Sequence, residues 1–154
     1  MDMVTALALT AGILMAALVK LAPMMSVNSV ICMVAFGVYF GSGGKIGGLI
    51  KTLASLIGGA FWAVVANMVV AHDNDLWGFR WVLLGAVALI VVFQSRASIL
   101  SYLPGGLCGA AVATAANTAS IRPDGILLAT ALVMGSVLAF IAELAASVVA
   151  KKKA

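Results

Sequence analysis

Long apolar runs alternate with short clusters of charge, glycine and proline along the whole chain. The first run covers residues 3–19 and stops at Lys20 and Pro23; the second covers residues 27–41 and ends in Gly41-Ser42-Gly43-Gly44-Lys45. The third runs over residues 46–70 to His72-Asp73-Asn74-Asp75, and the fourth over residues 76–93 to Gln94-Ser95-Arg96. A fifth, alanine-rich run covers residues 99–116, and a sixth covers residues 125–149 ahead of Lys151-Lys152-Lys153. A helix that crosses a bilayer needs roughly 20 apolar residues. By that measure the first, third, fourth and sixth runs are long enough, whereas the second and fifth are short. The pattern predicts an all-α membrane protein with about six transmembrane helices, folded as a single transmembrane domain over residues 1–154.

The two short runs look like copies. Cys32 lines up with Cys108, Phe36 with Val112 and Ser42 with Thr118 at an offset of 76 residues, and each match runs on into a long apolar helix expected to open at Gly48 or Gly125. Gly58-Gly59 then corresponds to Gly135-Ser136. Dividing the chain into residues 1–74 and 75–154 leaves three spans in each half, so the second half would enter the membrane from the opposite side as an inverted repeat. Paired bundles of this kind build many small transporters, with the solute path between the halves. The short second helices carry most of the breakers: the glycine cluster after Tyr39, and Leu103-Pro104-Gly105-Gly106 interrupting the fifth run near its start. Such breaks leave backbone groups unpaired that lipid cannot satisfy, and they must face protein or a water-filled cavity.

Composition strengthens the membrane reading. Hydrophobic residues make up 64% of the chain and charged residues 9%, against roughly 25% charged in soluble domains, and mean hydropathy is +1.21. A soluble core of this size could not hide so much apolar surface; the lipid bilayer is the expected solvent. The first run lacks the basic start of a secretory signal and is read as retained. With both termini cytoplasmic, six of the nine Lys and Arg residues fall inside, among them Lys45, Lys51, Arg96 and the terminal lysines, while Lys20, Arg80 and Arg122 fall outside. Trp77, Phe79 and Trp81 fit an aromatic belt at the outer interface. The net charge of +4 is explained by juxtamembrane lysines near anionic lipid and calls for no nucleic-acid partner.

Candidate chemistry is sparse. Glu143 is the only acidic residue within an expected span, where a charge needs a partner, a cavity or a route to the interface. Asn67 stands close to its counterpart in the first half, so the two would guard opposite mouths of one pathway. Tyr39, Thr114 and Asn117 add neutral hydrogen-bonding groups on or beside the short helices, completing a candidate solute-binding set of Tyr39, Asn67, Thr114, Asn117 and Glu143. Gly43-x-x-x-Gly47, Gly44-x-x-x-Gly48 and Gly105-x-x-x-Gly109 have the spacing that lets helices approach closely, and Gly58 joins them as a packing glycine. Cys32 and Cys108 fall in apolar segments and read as small core residues. No P-loop, metal-ligand spacing, cofactor motif or nucleophile and base pair is visible, so neither an enzyme, a metal site nor a cofactor is expected.

The stretch Phe36-Gly37-Val38-Tyr39-Phe40-Gly41-Ser42-Gly43-Gly44-Lys45, followed by Gly48-Leu49 and Leu56-Ile57-Gly58-Gly59-Ala60-Phe61-Trp62-Ala63, resembles the YcdZ-like family of small bacterial inner-membrane proteins of unknown function. The likeness is clearest over residues 36–66. It implies a bacterial cytoplasmic-membrane location and a several-span bundle, and supplies neither a substrate nor a functional residue. Two functions fit the sequence: a small channel or facilitator for a small, neutral polar solute, in a homo-oligomer, or a structural subunit that packs against a larger membrane partner through its Gly and Ala faces.

Overall fold

The computed structural model describes residues 3–72 and 78–151. Among them there is no strand, and six α-helices follow the six apolar runs: α1 (Met3–Leu21), α2 (Ser29–Gly41), α3 (Lys45–His72), α4 (Arg80–Gln94), α5 (Leu103–Ala115) and α6 (Ile126–Lys151). Short 3-10 turns, Ala22–Met25 and Ser98–Leu100, precede α2 and α5. Three helical stretches are long and apolar enough to cross a membrane, those containing α1, α3 and α6.

Each boundary has a local cause. Asn28 caps α2 by accepting the Val30 amide at 2.9 Å, a bond that satisfies one of the free donors of a helix start. The reversal from α2 to α3 passes through Gly43, Gly44 and Lys45 with φ of 93°, 66° and 57°, a left-handed path that two glycines make accessible. Pro104 lies in the first turn of α5, where the missing N–H removes no hydrogen bond. It therefore starts a helix rather than interrupting one, contrary to the expectation for the fifth run.

Two further expectations change. The fourth run is too short to count as a full span: Phe79 sits at the helix start with non-helical φ and ψ of −104° and 6°, and α4 has 15 residues, about 22 Å at 1.5 Å per residue. α3 opens at Lys45, one turn before Gly48, because the tight turn delivers the chain into helical geometry earlier. Asp73, Asn74, Asp75, Leu76, Trp77, Lys152 and Lys153 lie outside the described residues, while Phe79 and Trp81 are exposed.

α3 and α6 pack on each other at the centre and each carries two helices of the opposite half. The short α2 lies on α6 and the short α5 on α3; α1 lies on α6 and α4 on α3; α2 and α5 touch. This pattern is unchanged when the two halves are exchanged, as a two-fold relation between three-helix repeats requires. The core along these seams includes Leu18, Cys32, Tyr39, Leu56, Val91 and Leu132. The connection carrying Arg96 runs beside the middle of α3: the Trp62 Nε1–H donates to Gln94 Oε1 at 3.1 Å, and a methyl group at Gly58 would touch Leu100 and Gln94. Lys45 lies about 20 Å further along α3 from Gly58, so Arg96 is not level with it.

Candidate functional site

At one end of the bundle, the α2 to α3 turn is held by α6. The fully buried Tyr39 donates its hydroxyl proton to the Glu143 carboxylate, and the Lys45 amide donates to the same oxygen at 2.9 Å. A carboxylate at the first residue of α3 also answers the positive end of that helix. Gly44 is needed twice, for its φ and because a methyl group there would stand 2.7 Å from Glu143 Oε1. The last carbonyls of α2 are taken by side chains: the Ser42 hydroxyl donates to Tyr39 O at 2.7 Å, and the Tyr102 hydroxyl, arriving from the start of α5, donates to Val38 O at 3.1 Å. Phe40 and Phe140 pack edge-on to Tyr39, with ring centroids 5.4 and 6.3 Å away.

At the other end, the close of α5 is held by α3. The buried Asn67 donates through Nδ2 to Ala113 O at 3.3 Å and Thr118 O at 3.2 Å. Asn117 turns the chain with φ of 50°, is exposed, and accepts from Arg80 at 3.5 Å. Beside it a polar pocket of about 220 Å³ opens between the start of α2 and the end of α5, with Ser26, Asn28, Asn117, Thr118 and Asp124 in its wall. Thr114 returns its hydroxyl to Ala110 O at 2.8 Å and lines an apolar groove between α4 and α5.

The five candidate solute ligands thus do not converge. Tyr39 and Glu143 form one cluster, whereas Asn67, Thr114 and Asn117 stand near the opposite end of α3, about 33 Å along the helix from Lys45 to Asn67. Glu143 is bonded to Tyr39 and the Lys45 amide, rather than left as an open charge on a path.

The packing glycines sort in the same way. Gly109 faces the Leu56 carbonyl and Gly105 the Tyr102 ring and Ser55, so neither has room for a side chain. Gly58 is closely packed by side chains, since a methyl group there would stand 3.2 Å from Leu100 Cδ2 and 3.3 Å from Gln94 Nε2, and Gly48 stands against Ser42. The Gly43/Gly47 and Gly44/Gly48 pairs are not helix-face motifs, because Gly43 and Gly44 belong to the turn; a methyl group at Gly43 or Gly47 meets nothing within 4 Å. Five further glycines make backbone or tight side-chain contact: Gly41 with the Tyr102 hydroxyl, Gly59 with the Gly106 carbonyl, Gly106 with Val91, Gly125 with the Ser120 carbonyl, and Gly135 with the Cys32 carbonyl. Gly59 shares a helical stripe with Gly48, and Gly135 is its near-counterpart in the expected alignment of the two halves, a signal that sequence carries. Tyr102, Thr52 and Ser55 were also unmarked by sequence. The two hydroxyls of Thr52 and Ser55 are buried without a hydrogen-bond partner.

Among the described residues no group of His, Cys, Asp and Glu could hold a metal ion. Cys32 is buried, Cys108 half-buried, and neither is in a disulfide.

A family model described as "Protein of unknown function (DUF1097)" matches residues 8–147. The chain belongs to that uncharacterised family. No curated protein and no solved structure matches it, so no homologue confirms the likeness to YcdZ-like proteins.

Proposed function

We propose that this member of the DUF1097 family is an integral membrane facilitator that passes a small, neutral polar solute between its two halves, without catalysing a reaction. The observation that carries the reading is the exchange of short helices: α2 and α5, 13 residues each, measure about 20 Å against a hydrocarbon layer of about 30 Å. Each lies on the long helix of the other half, and carbonyls in their last turns are bonded by the side chains of Tyr102 for α2 and Asn67 for α5. Short helices at matching positions of two repeats are the sequence and structural mark of a transport site. The polar pocket beside Asn117 supplies one mouth, and the Tyr102 end the other. A bacterial cytoplasmic membrane, cytoplasmic termini and a homo-oligomer complete the proposal. Proteoliposome shrinkage and reswelling with urea, small amides, polyols and cations test it. Faster equilibration of at least one neutral solute is expected; rates equal to protein-free vesicles for every solute would overturn it.

A second reading, a structural subunit for a larger membrane partner, draws on Gly37: a methyl group there meets nothing within 4 Å, and Val30 and Met33 beside it on α2 are exposed. Such a face suits another helix. Purification in mild detergent separates the readings, since a stable homo-oligomer with no stoichiometric partner counts against this one.

A further inference from the structure

Ser and Thr hydroxyls inside a helix ordinarily bond the carbonyl three or four residues back. Thr10, Thr114, Thr130 and Ser136 do so here, at 2.8–3.0 Å. Thr52 and Ser55 do not. Both are on α3, 0% and 1% exposed, and neither hydroxyl has a hydrogen-bond partner. A buried hydroxyl in that state is destabilising, and the described residues carry two of them one helical turn apart.

Their surroundings give the feature a use. Gly48, Thr52, Ser55 and Gly59 form one stripe of α3 at helical spacing. Its lower end faces Ser42 in the α2 to α3 turn, and its upper end meets the Gly106 carbonyl in the first turn of α5. A methyl group at Gly105 would touch both Ser55 Cβ, at 3.3 Å, and the Tyr102 ring. Tyr102 is half-buried and is tied by its hydroxyl to Val38 O, so its ring bridges the start of α5 and the end of α2. Glu143, the charge placed at this end, is already engaged by Tyr39 and the Lys45 amide.

We infer that Thr52 and Ser55 form an internal binding station for a small uncharged solute that both donates and accepts hydrogen bonds, of the size of water or urea, with Tyr102 as the side chain that closes it toward solvent. Two hydroxyls supply donors and acceptors but no counter-charge, and an ion there would remain uncompensated at high cost. The inference rests on the facilitator reading and names the contact residues within it.

Thr52→Val and Ser55→Ala, singly and together, test it in two ways. Thermal unfolding in detergent should show the double variant at least as stable as the parent, because an unpartnered hydroxyl is removed. Flux of the solute that the parent passes best should fall about tenfold, the loss expected for one to two hydrogen bonds. Flux within twofold of the parent would overturn the station and leave the facilitator standing. If the parent itself passes no solute, the facilitator reading fails, and a density map with urea present decides the station: a bound feature within hydrogen-bond distance of both hydroxyls supports it, and hydroxyls turned back onto the Gly48 and Lys51 carbonyls refute it.

Discussion

The seam between α3 and α5 and the seam between α2 and α6 each join the short helix of one half to the long helix of the other, but they are built differently. The first is a backbone contact: Gly59 against the Gly106 carbonyl and Gly109 against the Leu56 carbonyl. The second has one such contact, Gly135 on the Cys32 carbonyl, and is otherwise filled by Tyr39, Phe36 and Phe140. Their polar ends differ in sign as well. Asn67 donates to carbonyls at the end of α5, whereas Glu143 accepts from the first amide of α3 and from a tyrosine hydroxyl. The halves therefore share a topology while each end is closed by the group its own unpaired backbone demands.

The largest test of that difference is at the glycine seam. Gly109→Val should push α5 off α3 and cost more than about 3 kcal/mol, read as loss of a monodisperse folded peak in mild detergent. Gly135→Val, at the aromatic seam, meets a backbone carbonyl just as closely, Cys32 O in place of the Leu56 O that faces Gly109, and should cost a similar amount; a much smaller loss would mean that the aromatic side chains around it give way. Next comes the polarity of the ends. Asn67→Asp turns a donor into an acceptor facing two carbonyls and should destabilise by about 3 kcal/mol or more, exceeding Asn67→Ala, which only leaves those carbonyls unpaired. Thermal unfolding of the two variants checks the order. At the opposite end, Glu143→Ala should cost about 1–3 kcal/mol by removing the acceptor of the Lys45 amide and leaving the Tyr39 hydroxyl only the Lys45 carbonyl at 3.5 Å. Glu143→Gln should cost less, and combining it with Tyr39→Phe should reveal a coupling of at least about 0.5 kcal/mol. The smallest effect belongs to Gly37→Ala, which meets open space and should be neutral or stabilising by up to about 1 kcal/mol.

The helices were legible because charge, glycine and proline punctuate the apolar runs: α1, α2, α3 and α6 begin and end within two residues of the expected limits. α4 was overestimated because Gly78 and Phe79 sit inside an apolar run, and hydropathy does not see a helix start. The candidate site was less legible because its bonds join distant parts of the chain. Glu143 was marked as the one intramembrane acid, yet its partners lie about a hundred positions away at Tyr39 and Lys45. Asn67 was marked as a mouth residue, and its role as a cap on α5 depends on a seam that periodicity does not announce. Tyr102 carried a usable signal, since it and Tyr39 are the chain's two tyrosines and each adjoins a short helix.

Because each short helix rests on the long helix of the opposite half, neither half can complete its own core during synthesis. The ribosome releases α1 and α2 before the surface of α6 that they occupy exists, and α3 emerges ahead of α5. Assembly of the first half therefore waits on the helices that follow it, α2 on α6 and α3 on α5. A chain cut short before α6 would leave Tyr39 and Cys32 without the surface that buries them, which makes the arrival of α6 the step at which a misassembled bundle can be told from a packed one.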